Sequence, residues 1–204
     1  MVTSAFKPLG IVIPTRWEAA EVLRRFAFRK ISAGLYKADI HGRPVWLCLS
    51  GVGRVAARAA AARLVAEGAA ELVSMGFCGA LVPELHVGDL VTDRIATVDK
   101  PARTMEERRT LTERANAVAV DMETQAIIEE GTRRGIPIHI LRVVSDAFED
   151  DLTPLLGQEG IFSPWTLALR LLNPTVWPLA SRLRRQTVVA RGRLAEALGQ
   201  FSHV

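Results

Sequence analysis

The sequence predicts an α/β fold, a three-layer αβα sandwich around a central twisted mixed sheet. Short β-branched runs alternate with segments of helical spacing between residues 9 and 148, the pattern of layered α/β proteins. Several of the apolar runs end in a proline, a glycine or a carboxylate, where such sheets gather their chemistry. The 204 residues are 49% hydrophobic and 24% charged, enough apolar material for one sizeable core.

The elements follow in order. "LGIVIP" (9–14) reads as a buried strand, and "TRWEAAEVLRRFAF" as a helix from the spacing of Trp17, Ala20, Val22, Leu23 and Phe26. "RPVWLCLSGVG" (43–53) is a second strand ending in glycines. "RVAARAAAARLVAEG" follows as a strong alanine-rich helix with a glycine stop. "AELVSMGFCGAL" is a third strand running into a glycine turn, and "VGDLVTDRIATV" supplies extended pieces. "TMEERRTLTERAN" is a helix, "AVAV" a short strand, "METQAIIEEGTRRG" a helix, and "IPIHILRVVSDAF" a strand ending in Ser145 and Asp146. Residues 1–160 form the α/β domain, and 161–204 a basic, apolar helical segment packed on it.

Composition removes several function classes. Cys48 and Cys78 each lie in an apolar strand-like run, so buried reduced thiols in a cytoplasmic protein are expected, with neither a disulfide framework nor a metal site. The four histidines are scattered, without zinc-ligand spacing. No apolar run reaches membrane-spanning length. The net charge of +4 is uneven: residues 161–204 hold six arginines against Glu196 alone and carry +5, leaving −1 elsewhere. A general nucleic-acid surface is therefore not expected.

Four features fall at strand ends: Glu18, the Gly76–Gly79 turn, Asp121–Glu123, and Ser145–Asp146. Their convergence suggests a pocket with several carboxylates, suited to hydroxyl-rich or basic ligands. Each also has a plainer reading. "SGVGR" (50–54) can offer backbone N–H groups to a phosphate, or simply make a tight turn. Asp121 and Glu123 can serve a helix dipole, Met122 can fill core, Asp146 can cap a turn, and Glu18 can be one more helix acid.

In order, "GIVIPTRWEAAEVL", "LSGVGRVAARAAAARL", "VSMGFCGALVPELHVGDLV", "AVAVDMETQAI" and "ILRVVSDAFED" resemble the signature segments of the purine/uridine phosphorylase and nucleosidase superfamily. The likeness is to the branch of the methylthioadenosine/S-adenosylhomocysteine nucleosidases. "TVDKPARTMEERRTLTERANAVAVDMET" and "DLTPLLGQEGIFSPWTLALRLLNP" are similar to hopanoid-biosynthesis-associated nucleosidases, thought to remove adenine from adenosylhopane.

The resemblance implies an N-glycosidic-bond hydrolase that releases adenine from a 5′-modified adenosine, with Asp146 as the acid at purine N7 and Ser145 setting the strand-end geometry. Glu123 would hold the ribose hydroxyls over Met122, and Glu18 would activate water. Arg142 would orient that water and the acid, since "RVVSD" puts Arg142, Val144 and Asp146 on one face of an extended strand. Phe77 and Gly79 fall at the glycine turn and Asp99 near the base. Glu18 and Phe77 stand where phosphate-using relatives gather cationic or polar donors, which favours water. A phosphorylase, or a nucleoside-binding relative without activity, are the alternatives. No cofactor is implied, beyond phosphate for a phosphorylase, and a homodimer is expected.

Two departures stand out. Phe77 replaces a small polar residue of the hydrolytic relatives. Between Asp89 and Asp121 the numbering advances only 32, so the 90–120 segment is several tens of residues shorter than in the nucleosidases. The opened pocket suits a bulky lipid-like 5′ group, or marks an inactive relative. The tail mixes Trp165, Trp177, leucines and arginines with helix-interrupting prolines. Peripheral membrane contact is one reading of it, and packing on its own domain or a dimer partner the other.

Overall fold

The computed structural model describes residues 7–157 and 169–201. Its centre is a nine-stranded mixed sheet. The strands and helices of the first half are β1 (Leu9–Ile13), α1 (Arg16–Arg25), β2 (Arg29–Ser32), β3 (Leu35–Ile40), β4 (Arg43–Leu49), α2 (Arg54–Ala66) and β5 (Glu71–Ala80). The second half adds β6 (Leu90–Val91), β7 (Ile95–Thr97), α3 (Met105–Ala115), β8 (Ala119–Asp121), α4 (Thr124–Arg134), β9 (Ile138–Asp146), α5 (Thr153–Leu156) and α6 (Trp177–Phe201). The main path runs β2-β3-β4-β1-β5-β8-β7, while β9 pairs with β5 and β6 with β9.

Strand alternation sends β1 into two cores. Leu9, Ile11 and Ile13 join Ala190, Leu194 and Leu198 of α6 on one face, and Val12 joins Ala57, Ala61 and Leu64 of α2 on the other. Helices α1 and α6 thus cover one face, and α2 and α4 the opposite one. Leu194 and Leu198 are wholly buried, each stabilising the fold by about 2 kcal/mol. Helix α2 stops as the glycine predicts, with Gly68 at φ +95°. Cys48 and Cys78 are buried free thiols.

Several elements differ from expectation. The β2–β3 pair was hidden in "RKISAGLYKADI" because β2 is fully exposed, leaving no apolar alternation to betray it. Gly76 and Gly79 do not form a turn, since β5 runs unbroken through them to Ala80. Pro178 does not interrupt α6: it lies in the first helical turn, where its missing N–H costs nothing. No helix among the described residues is long and apolar enough to cross a membrane.

Candidate active site

The site begins with a gap in the sheet. One edge of β5 is paired with β9 along most of its length. The other edge meets β1 only as far as Ser74, and β8 only from Gly79 onward. Between them the backbone around Phe77 has no strand partner on that side, and its polar groups need other partners.

Glu18 supplies one. Thr15, at the end of β1, caps α1 by accepting from the Glu18 amide at 3.2 Å, while Glu18 Oε2 accepts from the Thr15 amide at 3.0 Å and hydroxyl at 2.7 Å. This is a capping box. It aims the second oxygen across the gap, where Oε1 accepts from the Phe77 amide at 2.9 Å. Glu18 is therefore a helix-cap acid and a buried pocket acid at once. Burial pushes its carboxyl above the usual range, against the pull of the Phe77 amide, the Thr15 hydroxyl and Arg142.

Arg142 lies beneath, with its side chain wholly buried. Its guanidinium pairs with Asp121 at 3.0 Å and Glu123 at 3.4 Å, and donates to Ser74 Oγ, Thr124 Oγ1 and the Phe77 carbonyl. Gly76, at φ +149°, leaves the necessary room: a Cβ there would stand 2.9 Å from Arg142 Nη1 and 3.0 Å from Glu18 Oε1. Asp121 receives the Thr124 amide at 3.0 Å, the helix-cap role open to it from sequence, and also balances Arg142. Glu123 accepts the Gly53 amide at 2.8 Å. The N–H of the Gly-x-Gly turn is thus turned to a carboxylate. Burial raises Glu123, opposed mainly by Arg142 and the Gly53 amide.

Asp146 sits at the far end of β9. The register jumps there, with Cys78 opposite Val144 but Gly79 opposite Asp146, so Ser145 is the extra residue of a bulge. The bulge breaks the alternation that would have set Arg142 and Asp146 on one face. Arg142 accordingly orients groups on the Glu18 and Glu123 side, and its named partners do not include Asp146. Instead Asp146 Oδ2 pairs at 2.6 Å with Arg108 of α3, and Oδ1 accepts from Ser145 Oγ at 2.8 Å. Gly79 makes space for this, since a Cβ would lie 2.7 Å from Oδ2.

Glu18, Phe77, Gly79 and Met122 line one cavity of about 290 Å³, together with Glu123, Ser145 and Asp146. Arg142 does not line it, but pairs from beneath with Asp121 and Glu123, which do. Asp99 stands outside it: its side chain is 84% exposed and pairs with Arg54 at 3.0 Å, because the 98–101 turn sends Val98 and Pro101 inward in its place. A second cavity of about 710 Å³, lined by Leu152, Leu155, Leu156, Leu171 and Leu183, shares Trp17, Ser145 and Asp146 with the first.

Sequence reasoning missed Thr15, Ser74, Thr124 and Arg108. Thr15 was readable, since "TRWE" has the capping-box spacing. Nothing in "EERR" separates Arg108, wholly buried, from its exposed neighbour Arg109.

Comparison with known proteins agrees with this geometry. The sequence model of the phosphorylase superfamily matches residues 8–92, which hold β1 through β6 and Glu18, Phe77 and Gly79. Among curated proteins, none matches the chain significantly by sequence. Among solved structures, the 5′-methylthioadenosine/S-adenosylhomocysteine nucleosidase of Helicobacter pylori, in a complex with butyl-thio-DADMe-Immucillin-A, superposes with a TM-score of 0.73 at 17% identity, over 96% of this chain and 99% of that one. The futalosine hydrolase of the same organism gives 0.71 at 17% identity, over 95% and 98%. The Neisseria meningitidis nucleosidase with methylthio-immucillin-A gives 0.66 at 20%, over 91% and 100%. At these identities the superpositions speak for the fold. The sequence match over 8–92 is a likeness to the phosphorylase superfamily, and the superpositions show a nucleosidase-like α/β fold.

Proposed function

We propose that the protein hydrolyses the N-glycosidic bond of a 5′-modified adenosine and releases adenine. The observation that carries this reading is the presence, in one cavity, of the buried Glu18 and of Asp146, with Arg142 buried behind it and balancing Asp121 and Glu123. As the C–N bond breaks, its electron pair passes to the purine. Asp146, facing the imidazole edge, shares a proton with N7 and makes the base a better leaving group. Glu123 accepts from the ribose hydroxyls above Met122, and its charge favours the cationic sugar. Water adds its oxygen to the anomeric carbon and yields its proton to Glu18, which returns it to solvent.

Water is favoured over phosphate because the anion-binding groups are already taken. The amides of Phe77 and Gly53 serve Glu18 and Glu123, and Arg142 is enclosed by carboxylates. A second anion there would meet two buried acids. The 5′ substituent is proposed to be bulky and apolar, as in adenosylhopane, because the leucine-lined cavity opens from the same place. Contact with a membrane surface fits Leu169, Leu172 and Trp177, which are exposed near the arginines of α6. A homodimer is the proposed assembly, checked by sedimentation.

The test is adenine release from 5′-methylthioadenosine and from a 5′-alkyl-extended adenosine, with and without phosphate. Release without phosphate, faster for the extended substrate, is expected. Phosphate-dependent formation of ribose-1-phosphate derivatives would make the protein a phosphorylase. A folded protein that binds nucleoside and releases nothing would be a binding relative.

A further inference from the structure

The first half of α6 carries a face that the fold leaves uncovered. Trp177, Ser181, Arg184 and Val188 follow one another at helical spacing and form a single exposed stripe. It is turned away from Ala190 and Leu194, which enter the core. The turn ahead of the helix adds Leu169 and Leu172, the latter 76% exposed. Hydrogen bonds fix this turn: the Leu172 amide donates to the Leu169 carbonyl at 3.2 Å, and Trp177 Nε1 to the Leu171 carbonyl at 2.8 Å. Residues 169–189 hold four arginines and neither aspartate nor glutamate. Arg182 pairs with Asp150 at 2.9 Å, whereas Arg184 and Arg185 have no carboxylate partner among the described residues. Large apolar side chains exposed together among unpaired cations mark an interaction surface. This one borders the larger cavity, which is lined by Leu171, Ser181 and Arg184 and also by Trp17, Ser145 and Asp146 of the catalytic pocket.

We propose that this face docks on an anionic lipid bilayer and sets the leucine-lined cavity against it, so that an apolar-tailed nucleoside enters from lipid. The docking stands on the surface itself; its use in delivering substrate deepens the nucleosidase reading and rests on it. Arg184 and Arg185 meet anionic headgroups, while Leu169, Leu172 and Trp177 enter the boundary with the acyl chains. Each free arginine near such a surface tightens binding by about fivefold. The contact is peripheral, as no helix among the described residues is long and apolar enough to cross the bilayer. A nucleic acid would offer phosphates to the arginines but no hydrocarbon to the leucines. A second copy of the chain, paired through the same face, would set arginines against arginines. A tail passed directly from lipid to the leucine cavity also avoids exposing its hydrocarbon to water on the way.

The experiment sediments the full chain with vesicles of phosphatidylcholine alone and of an equal mixture with phosphatidylglycerol. Binding to the anionic vesicles should be at least about tenfold tighter, and should weaken as salt is raised. Leu169→Glu/Leu172→Glu and, separately, Arg184→Glu/Arg185→Glu should each weaken it by about tenfold or more, with unchanged circular dichroism. Equal binding to both vesicles, or binding to neither, would overturn the docking. So would preference for duplex DNA over anionic vesicles, or a leucine variant that dissociates a dimer and leaves vesicle binding intact. Delivery is read from adenine release. With a 5′-alkyl-extended adenosine carried in anionic vesicles, Leu169→Glu/Leu172→Glu should slow release by about tenfold, while dissolved 5′-methylthioadenosine stays within about twofold. Equal slowing of both substrates, or of neither, would overturn delivery. Vesicle binding without adenine release from either substrate would instead defeat the nucleosidase reading and leave the docking standing.

Discussion

The two ends of the pocket hold their acids in opposite ways. Glu18 is gripped by uncharged donors, the Thr15 hydroxyl and amide and the Phe77 amide, with Arg142 acting on it through charge. Asp146 is clamped by a guanidinium directly. Hydrogen bonds from neutral donors orient a carboxylate and leave burial to set its proton affinity. A buried arginine instead holds its carboxylate by a direct ion pair. The first arrangement suits a group that activates water, and the second fixes the direction from which an acid meets the base.

The largest effect expected from breaking the comparison is at the Glu18 end. Glu18→Gln keeps the Thr15 cap and the size of the side chain but removes the base, and adenine release should fall by about 10²–10⁴-fold. Circular dichroism should be unchanged. Next comes Arg142→Met, which leaves Asp121 and Glu123 buried without their counter-charge. We expect a loss of about 3–5 kcal/mol in urea unfolding, so that this arginine registers first in stability.

A smaller effect sharpens the contrast through pH. Glu18 and Glu123 are both raised above their unfolded value by burial. At these two groups the folded state therefore holds protons that the unfolded state has released, so their contribution to stability is greatest at acidic pH and declines as pH rises through the raised values. Glu18→Gln should remove its share of that decline, seen as a flatter dependence of Tm on pH above 4.5, the ordinary glutamate value. In the same range adenine release should rise with pH, because water is activated by the ionised form. Asp99→Ala should change little, within about twofold in rate and about 0.5 kcal/mol in stability, since its partnership with Arg54 is exposed.

What could be read in advance followed a physical line. Strands such as "LGIVI" and the helix "RVAARAAAARLVA" announce themselves because local composition and burial agree. Glu18, Met122, Glu123 and Asp146 were legible as a constellation because each follows closely on, or ends, an apolar run. The Ser145 bulge was not, because one extra residue in a strand leaves no mark on composition while reversing which neighbours share a face. Arg108 was equally silent, as its burial depends on what α3 lies against. Asp99 was set near the base by the resemblance of its segment, and a segment's likeness does not decide which way a turn sends each side chain.

The joining of β1 to α6 in one core has a consequence for how the molecule comes to be. Leu9, Ile11 and Ile13 leave the ribosome long before Ala190, Leu194 and Leu198, which cover them. Until α6 arrives, that face of the growing sheet is covered by α1 alone, in a sheet that ends in the exposed edge strand β2. Closure over so long a loop is slow, and in that interval the nascent chain offers other chains a surface on which to aggregate. The same helix brings Arg191 over the Trp17 ring, 4.1 Å from its centre, in the turn that bears Glu18. The acid's own helix therefore gains this contact only after α6 has been made.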